Sequence, residues 1–131
     1  MRNRIDDERG ATAVEFAFIV PLLLMLVLGI AEFGHAFQVQ GTLSAAAREG
    51  VRAMALQNDP AAARTAVRNA AASLHPGVTD AQIAITPASC PTVGGGSTNV
   101  RLTISYPMPY LTGFFGSGLA LSGTGVMRCN G

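Results

Sequence analysis

Hydrophobic positions along the chain follow three different rhythms. From Ala11 to Ala31 the sequence is apolar on every side, with Glu15 the one charged residue, and the run FAFIVPLLLMLVLGIA (16–31) carries no charge. Twenty-one helical residues at about 1.5 Å each reach roughly 31 Å, close to the hydrocarbon thickness of a bilayer. From Glu32 to about Gln57 the apolar spacing becomes helical, through Phe33, Phe37, Leu43, Ala47, Val51 and Met54. Gly34, Gly41, Ala45 and Gly50 add small residues that permit close helix approach. The two stretches together predict one continuous or kinked helix from about Thr12 to Leu56, leaving the membrane around Glu32–Phe37. Pro21, in mid-span, removes one backbone hydrogen bond and favours a kink.

Asn58-Asp59-Pro60 stops that helix and starts another, with Asp59 as N-cap and Pro60 at the first helical position. Ala63, Val67, Ala70, Ala71 and Leu74 give residues 60–74 one apolar side, and His75-Pro76-Gly77 is expected to end the helix. His75 then reads as a partner of the helix dipole. Arg48 and Arg52, and again Arg64 and Arg68, stand four apart and are expected to be solvated, or for the first pair to meet a partner. Beyond residue 80 the period drops to two. AQIAIT (81–86), NVRLTISY (99–106) and LALSGTGVMRC (119–129) read as strands. In the middle one Val100, Leu102, Ile104 and Tyr106 point inward, and Arg101, Thr103 and Ser105 outward. PTVGGGST (91–98) is a loop with no phosphate-loop lysine after it. PMPYLTGFFGSG (107–118) looks too broken for a strand. Its Tyr110, Phe114 and Phe115 are expected to cover the sheet, or else to rest on lipid or a partner. The expected fold class is α+β: a long N-terminal helix, a short second helix, and a small three-stranded antiparallel sheet closed by a disulfide.

Composition sharpens this picture. The chain has 131 residues and is 49% hydrophobic, but the apolar residues concentrate in the first third. Residues 32–131 are Ala- and Gly-rich and can build only a small core, which ordinarily needs a staple. Cys90 and Cys129 are the two cysteines. Their place in a small domain beyond a membrane segment reads as a disulfide formed in an oxidising compartment, the alternative being two free buried thiols. Net charge is +1, with nine arginines and no lysine, so no basic field points to nucleic acid. His35 and His75 are isolated, leaving no metal-ligand spacing. No set of acid, base and nucleophile stands at useful spacing either. The chain therefore reads as a non-enzyme without metal or cofactor.

Three readings fit the N-terminal segment. A secretory signal peptide would use Arg2, Arg4 and Arg9 as its basic end and Gly29-Ile30-Ala31 as its cleavage site, releasing a secreted binding module. A single-span anchor would keep the arginine-bearing N-terminus cytoplasmic, because no Arg or Lys occurs between Ala31 and Arg48. Neither explains Glu15, an acid costing about 2.5–3.5 kcal/mol within a span. The third reading does. A short polar leader, Gly10, four residues, then Glu15-Phe16 and an apolar run resemble the type IV prepilin signal.

The likeness extends further. RGATAVEFAFIVPLLLMLVLGIAEFGHAF followed by LSAAAREGVRAMAL resembles the TadE-like family of the tight-adherence (Flp) pilus assembly system. The matching residues are Gly10, Glu15, Phe16, Pro21, Glu32, Phe33, Gly34, Ala46 to Gly50, and VMRC at 126–129. The resemblance implies a minor pseudopilin, since the family's short major pilins lack a domain of this size. It also implies cleavage by a membrane prepilin peptidase between Gly10 and Ala11, with Glu15 and Phe16 docking against neighbouring subunits. On this view residues 1–10 are a cleaved leader and 11–31 a transmembrane helix. Residues 32–57 continue the helix outside the cytoplasm, and 58–131 form a small α+β domain. The implied partners are the peptidase, other pilins and pseudopilins, the inner-membrane assembly platform and the lipid bilayer. The implied place is the cytoplasmic membrane, single-pass with the C-terminal domain outside, or a surface pilus.

Overall fold

The computed structural model describes residues 2–92 and 97–130, with side chains from Asp7 onward. The glycines of the predicted 91–98 loop thus lie outside the described residues. Helix α1 spans Arg2–Gln57 and passes through Pro21 without a break in helical structure; α2 spans Pro60–Ala70. A short 3-10 turn, Asp80–Gln82, precedes strands β1 (Ile83–Thr86), β2 (Asn99–Pro109) and β3 (Gly118–Arg128). The strands form one antiparallel sheet in the order β1-β2-β3. The expected fold class, disulfide included, is the one observed. The chain forms two compact units, Met1–His35 and Ala36–Gly131.

The second unit holds the core. Val39, Leu43, Ala46, Ala47, Val51 and Met54 recur at helical spacing on α1 and are buried. They meet a sheet face built from Ile83 and from Val100, Leu102, Ile104, Tyr106 and Met108 of β2. β3 contributes glycines where the helix comes closest. A Cβ on Gly123 would stand 2.5 Å from the Leu43 carbonyl oxygen, and one on Gly125 2.6 Å from that of Ala47. Any side chain there would push helix and sheet apart. Ala63 and Val67 of α2 complete the core, with Val67 over Gly50.

The ends of the helices are made by short-range chemistry. Asn58 takes a left-handed conformation, φ 52°, and its N–H donates to the Met54 carbonyl, closing α1. Asp59 then accepts from the Ala61 N–H at 2.9 Å as N-cap of α2, with Pro60 at the first helical position, as expected. The second helix ends at Ala70, earlier than the expected 74. His75 therefore lies beyond its last turn and is not the dipole partner the sequence implied.

Four further expectations need correction. Phe33 and Phe37 do not join the buried stripe but are exposed, as are Gly34, Gly41 and Ala45. Phe37 precedes Leu43 by six residues, which on a helix is about 120° off its face. β2 continues through Pro109 instead of ending at Tyr106. Its pairing with β1 stops at Ile104, so Pro107 and Pro109 turn their missing N–H toward an edge that no strand covers. β1 is shorter than expected, because residues 80–82 turn before Ile83. Arg68 is not simply solvated: it pairs with Asp80 and also donates to Thr65. Both partners are exposed, so the pair contributes little.

The far end of the second unit is stapled. Cys90 and Cys129 are bonded, 39 residues apart, and both are buried. Around them Asn58 donates to the Cys90 carbonyl and accepts from its N–H, while the Cys129 N–H donates to the Thr98 carbonyl. Asn130, also left-handed at φ 57°, reaches the Ala55 and Pro91 carbonyls. Asparagine tolerates that conformation better than other side chains. The sequence signal for the latch was thus two asparagines beside breaks in hydrophobic pattern.

Candidate processing and docking site

Gly10, Ala11, Glu15 and Phe16 all lie on α1, so the site is a stretch of helix surface. Every residue from Asp7 to Ile19 is exposed. Ala11 and Glu15 are four apart, which on a helix puts them on one face about 6 Å apart along the axis. Phe16 stands one residue on, 68% exposed. Thr12 returns its hydroxyl to the Glu8 carbonyl at 2.9 Å, so it stays within the helix's own backbone.

Gly10 has no structural reason to be glycine. A Cβ there would meet nothing within 4 Å, and its φ lies in the ordinary helical range. Glycine in a helix interior costs about 1 kcal/mol relative to alanine. Gly29, Gly34 and Gly41, farther along the same helix, are equally open, so Gly10 differs from them in its place ahead of the apolar run. Among the fold's own contacts nothing accounts for Gly10.

The span following the site is apolar and uncovered. Within α1 the best 18-residue window has mean hydropathy 2.6, and none of it is buried. The core helix of a soluble domain would be mostly covered by its own chain. Phe16, Phe18, Leu22, Met25, Leu26 and Ile30 are all more than half exposed. Among the described residues, one helix is long and apolar enough to cross a membrane. Glu32, at its end, is by contrast buried at 4% exposure. No buried side-chain polar atom among the described residues lacks a hydrogen-bond partner.

No group of three or more metal-ligating side chains occurs among the described residues. The candidate site gathers one carboxylate, one small residue and one aromatic ring.

Residues 10–52 match the family described as TadE-like protein, and this stretch of the chain is TadE-like. The match begins at Gly10, includes Glu15 and the whole apolar span, and ends within the buried stripe of α1. No curated protein matches the chain, and no solved structure does.

Proposed function

We propose that the chain is a minor pseudopilin, a structural and assembly subunit in tight-adherence pilus biogenesis. The observation that carries this is the pairing of Gly10 and Glu15 at the head of an apolar helix that its own chain leaves uncovered. A prepilin peptidase cuts after Gly10 and makes Ala11 an ammonium group at the membrane surface. Glu15 meets such an ammonium on a neighbouring subunit once helices pack side by side. A buried charge is tolerable when paired and costly when alone. Phe16 and the apolar residues after it supply the packing surface. The domain plan follows: leader 1–10, span 11–31, extracytoplasmic helix 32–57, and a small α+β domain 58–131. The N-terminus lies in the cytoplasm, and the buried disulfide faces the oxidising side. The partners are the peptidase, other pilins and pseudopilins, the inner-membrane assembly platform and lipid.

Co-expression of the wild type and Gly10→Val with the peptidase tests this directly. Because a side chain at position 10 touches nothing in the fold, the variant's α1 and core should be intact. The expected result is a mature wild type beginning at Ala11 and an unprocessed variant. Equal masses for both, or a mature N-terminus at Glu32, would overturn the reading, the latter in favour of a secreted module.

A further inference from the structure

The hairpin joining β2 to β3 projects well past β1. Pairing between β2 and β3 runs on to Pro109–Gly118, whereas β1 stops opposite Ile104. Its tip, residues 110–117, exposes Phe114 at 80%, Leu111 at 59% and Phe115 at 47%. Tyr110 braces the crest, its ring 6.4 Å from that of Phe115 in an edge-on arrangement. Of the three rings expected to cover the sheet, Tyr110 packs against the core, whereas Phe114 and Phe115 stay exposed.

The direction of the tip can be read within the second unit alone. Gln40 donates to the Ser122 carbonyl, Gly123 lies against Leu43, Gly125 against Ala47, and the Asn130 N–H donates to Ala55. β3 therefore runs alongside α1 in the same direction. Going back from Ser122 to Gly118 covers about 13 Å of strand. Going back from Gln40 to Ala36, the first residue of the unit, covers about 6 Å of helix. The tip thus overshoots the end of the unit at which the chain comes in from the apolar span. Ala36 follows Ala31, the last residue of that span, by five residues, which cannot reach more than roughly 17 Å even when fully extended.

Charge is distributed to match. Residues 102–127 contain no charged side chain. The arginines flanking that stretch, Arg101 and Arg128, sit at the opposite end of the hairpin, beside the disulfide. Aromatic side chains are favoured at the membrane–water boundary, and a segment that dips its apolar rings to the acyl level is best free of charge, which is costly there.

We propose that the hairpin tip is a second membrane contact, with Phe114, Phe115 and Leu111 seated in the headgroup–acyl boundary of the bilayer that holds the span. The contact rests on the span being a membrane helix. It would fix the tilt of the extracytoplasmic domain over the membrane, restricting the presentation of α1 to neighbouring subunits.

The chain has no tryptophan, so single replacements give clean reporters. Full-length Phe114→Trp, Phe18→Trp (in the span) and Val126→Trp (exposed, at the far end of β3) are reconstituted separately into phosphatidylcholine vesicles. Half of the vesicles carry acyl chains brominated near their carbonyl end. All three positions are exposed, so the larger ring should not disturb the fold. The expected result is blue-shifted emission for Phe114→Trp that is strongly quenched in brominated vesicles, with Val126→Trp red-emitting and unquenched. Emission from Phe114→Trp equal to that of Val126→Trp, while Phe18→Trp is quenched, would overturn the contact and leave the span intact. Blue-shifted but unquenched emission would place the tip against protein and overturn it as well. If Phe18→Trp is itself unquenched, the membrane span fails and the contact fails with it.

Discussion

Leu23 and Leu43 stand twenty residues apart on the same helix and meet different surroundings. Leu23 is 52% exposed and Leu43 is wholly buried. Around Leu23 the apolar residues occupy every side; around Leu43 they form a stripe whose neighbours are Ala46, Ala47 and Val39. The contrast shows that α1 is one backbone element designed for two solvents. Its second half is solvated by its own sheet. Its first half has no protein cover, and a helix that is apolar all round and uncovered requires lipid or other subunits as its medium. The folded core therefore takes its share of α1 from the second half alone.

The strongest way to break that division is to remove the staple from the second unit and ask whether the first notices. A bond closing a loop of 39 residues stabilises by roughly 4 kcal/mol in the chain-entropy account. The double variant Cys90→Ser, Cys129→Ser should lose about that much in denaturant unfolding of the membrane-reconstituted chain. Helicity from the first unit should persist through the transition. Coincident loss of both would show the two halves to be one cooperative body.

A gentler probe applies one substitution to both halves. Leu43→Ala opens a cavity between helix and sheet and should cost roughly 2–5 kcal/mol. Leu23→Ala should leave the same unfolding transition unchanged within about 0.5 kcal/mol. Equal effects would mean that Leu23 has a protein partner within the chain.

These contrasts show what the sequence could and could not disclose. Period and punctuation were legible: α1 ends within one residue of the expected Leu56, Asp59 caps α2, β2 alternates as read, and the cysteines pair. Each rests on local chemistry or on a single strong constraint. Most of the misses depended on tertiary context. Phe37 is the exception, since its spacing of six from Leu43 already turns it away from the buried stripe. Pro107 and Pro109 break strands in general, yet here they fall where β2 has lost its neighbour. Arg68 finds Asp80 twelve residues away through the fold. The proposed processing and docking positions, Gly10 and Glu15, rest on a pattern of order along the chain and on no contact within the fold. Their action requires other proteins, which no single chain displays.

A smaller effect sits on the sheet face that α1 covers. The Tyr106 hydroxyl donates to the Pro76 carbonyl at 2.6 Å, tying β2 to the segment after α2. Burial raises its pKa above the usual 10. The neutral form is therefore favoured in the folded state. Its contribution is fully present below pH 10 and is lost as pH rises through the folded-state value. Tyr106→Phe should cost about 0.5–1.5 kcal/mol at neutral pH. It should also flatten the decline in stability above pH 10, measured by denaturant midpoints across that range. An unchanged decline would assign it to other groups.

The smallest expected effect on the fold is the most informative for function. Glu15 is exposed, in the half of α1 that contributes nothing to the core. Glu15→Val should leave unfolding of the second unit unchanged. It should make membrane insertion easier, because an acid has been removed from an apolar span, by about 1–3 kcal/mol near the interface. A simple anchor would then behave as well as wild type or better. A docking subunit would not, because the Ala11 ammonium of a neighbour loses its carboxylate and stays charged in an apolar contact. Unpaired burial of a charge costs several kcal/mol, far more than an exposed pair contributes. The expected phenotype is split, with normal abundance and membrane location but poor co-isolation of partner pilins. Co-isolation at the wild-type level would remove Glu15 from docking and leave it no assigned role in the span.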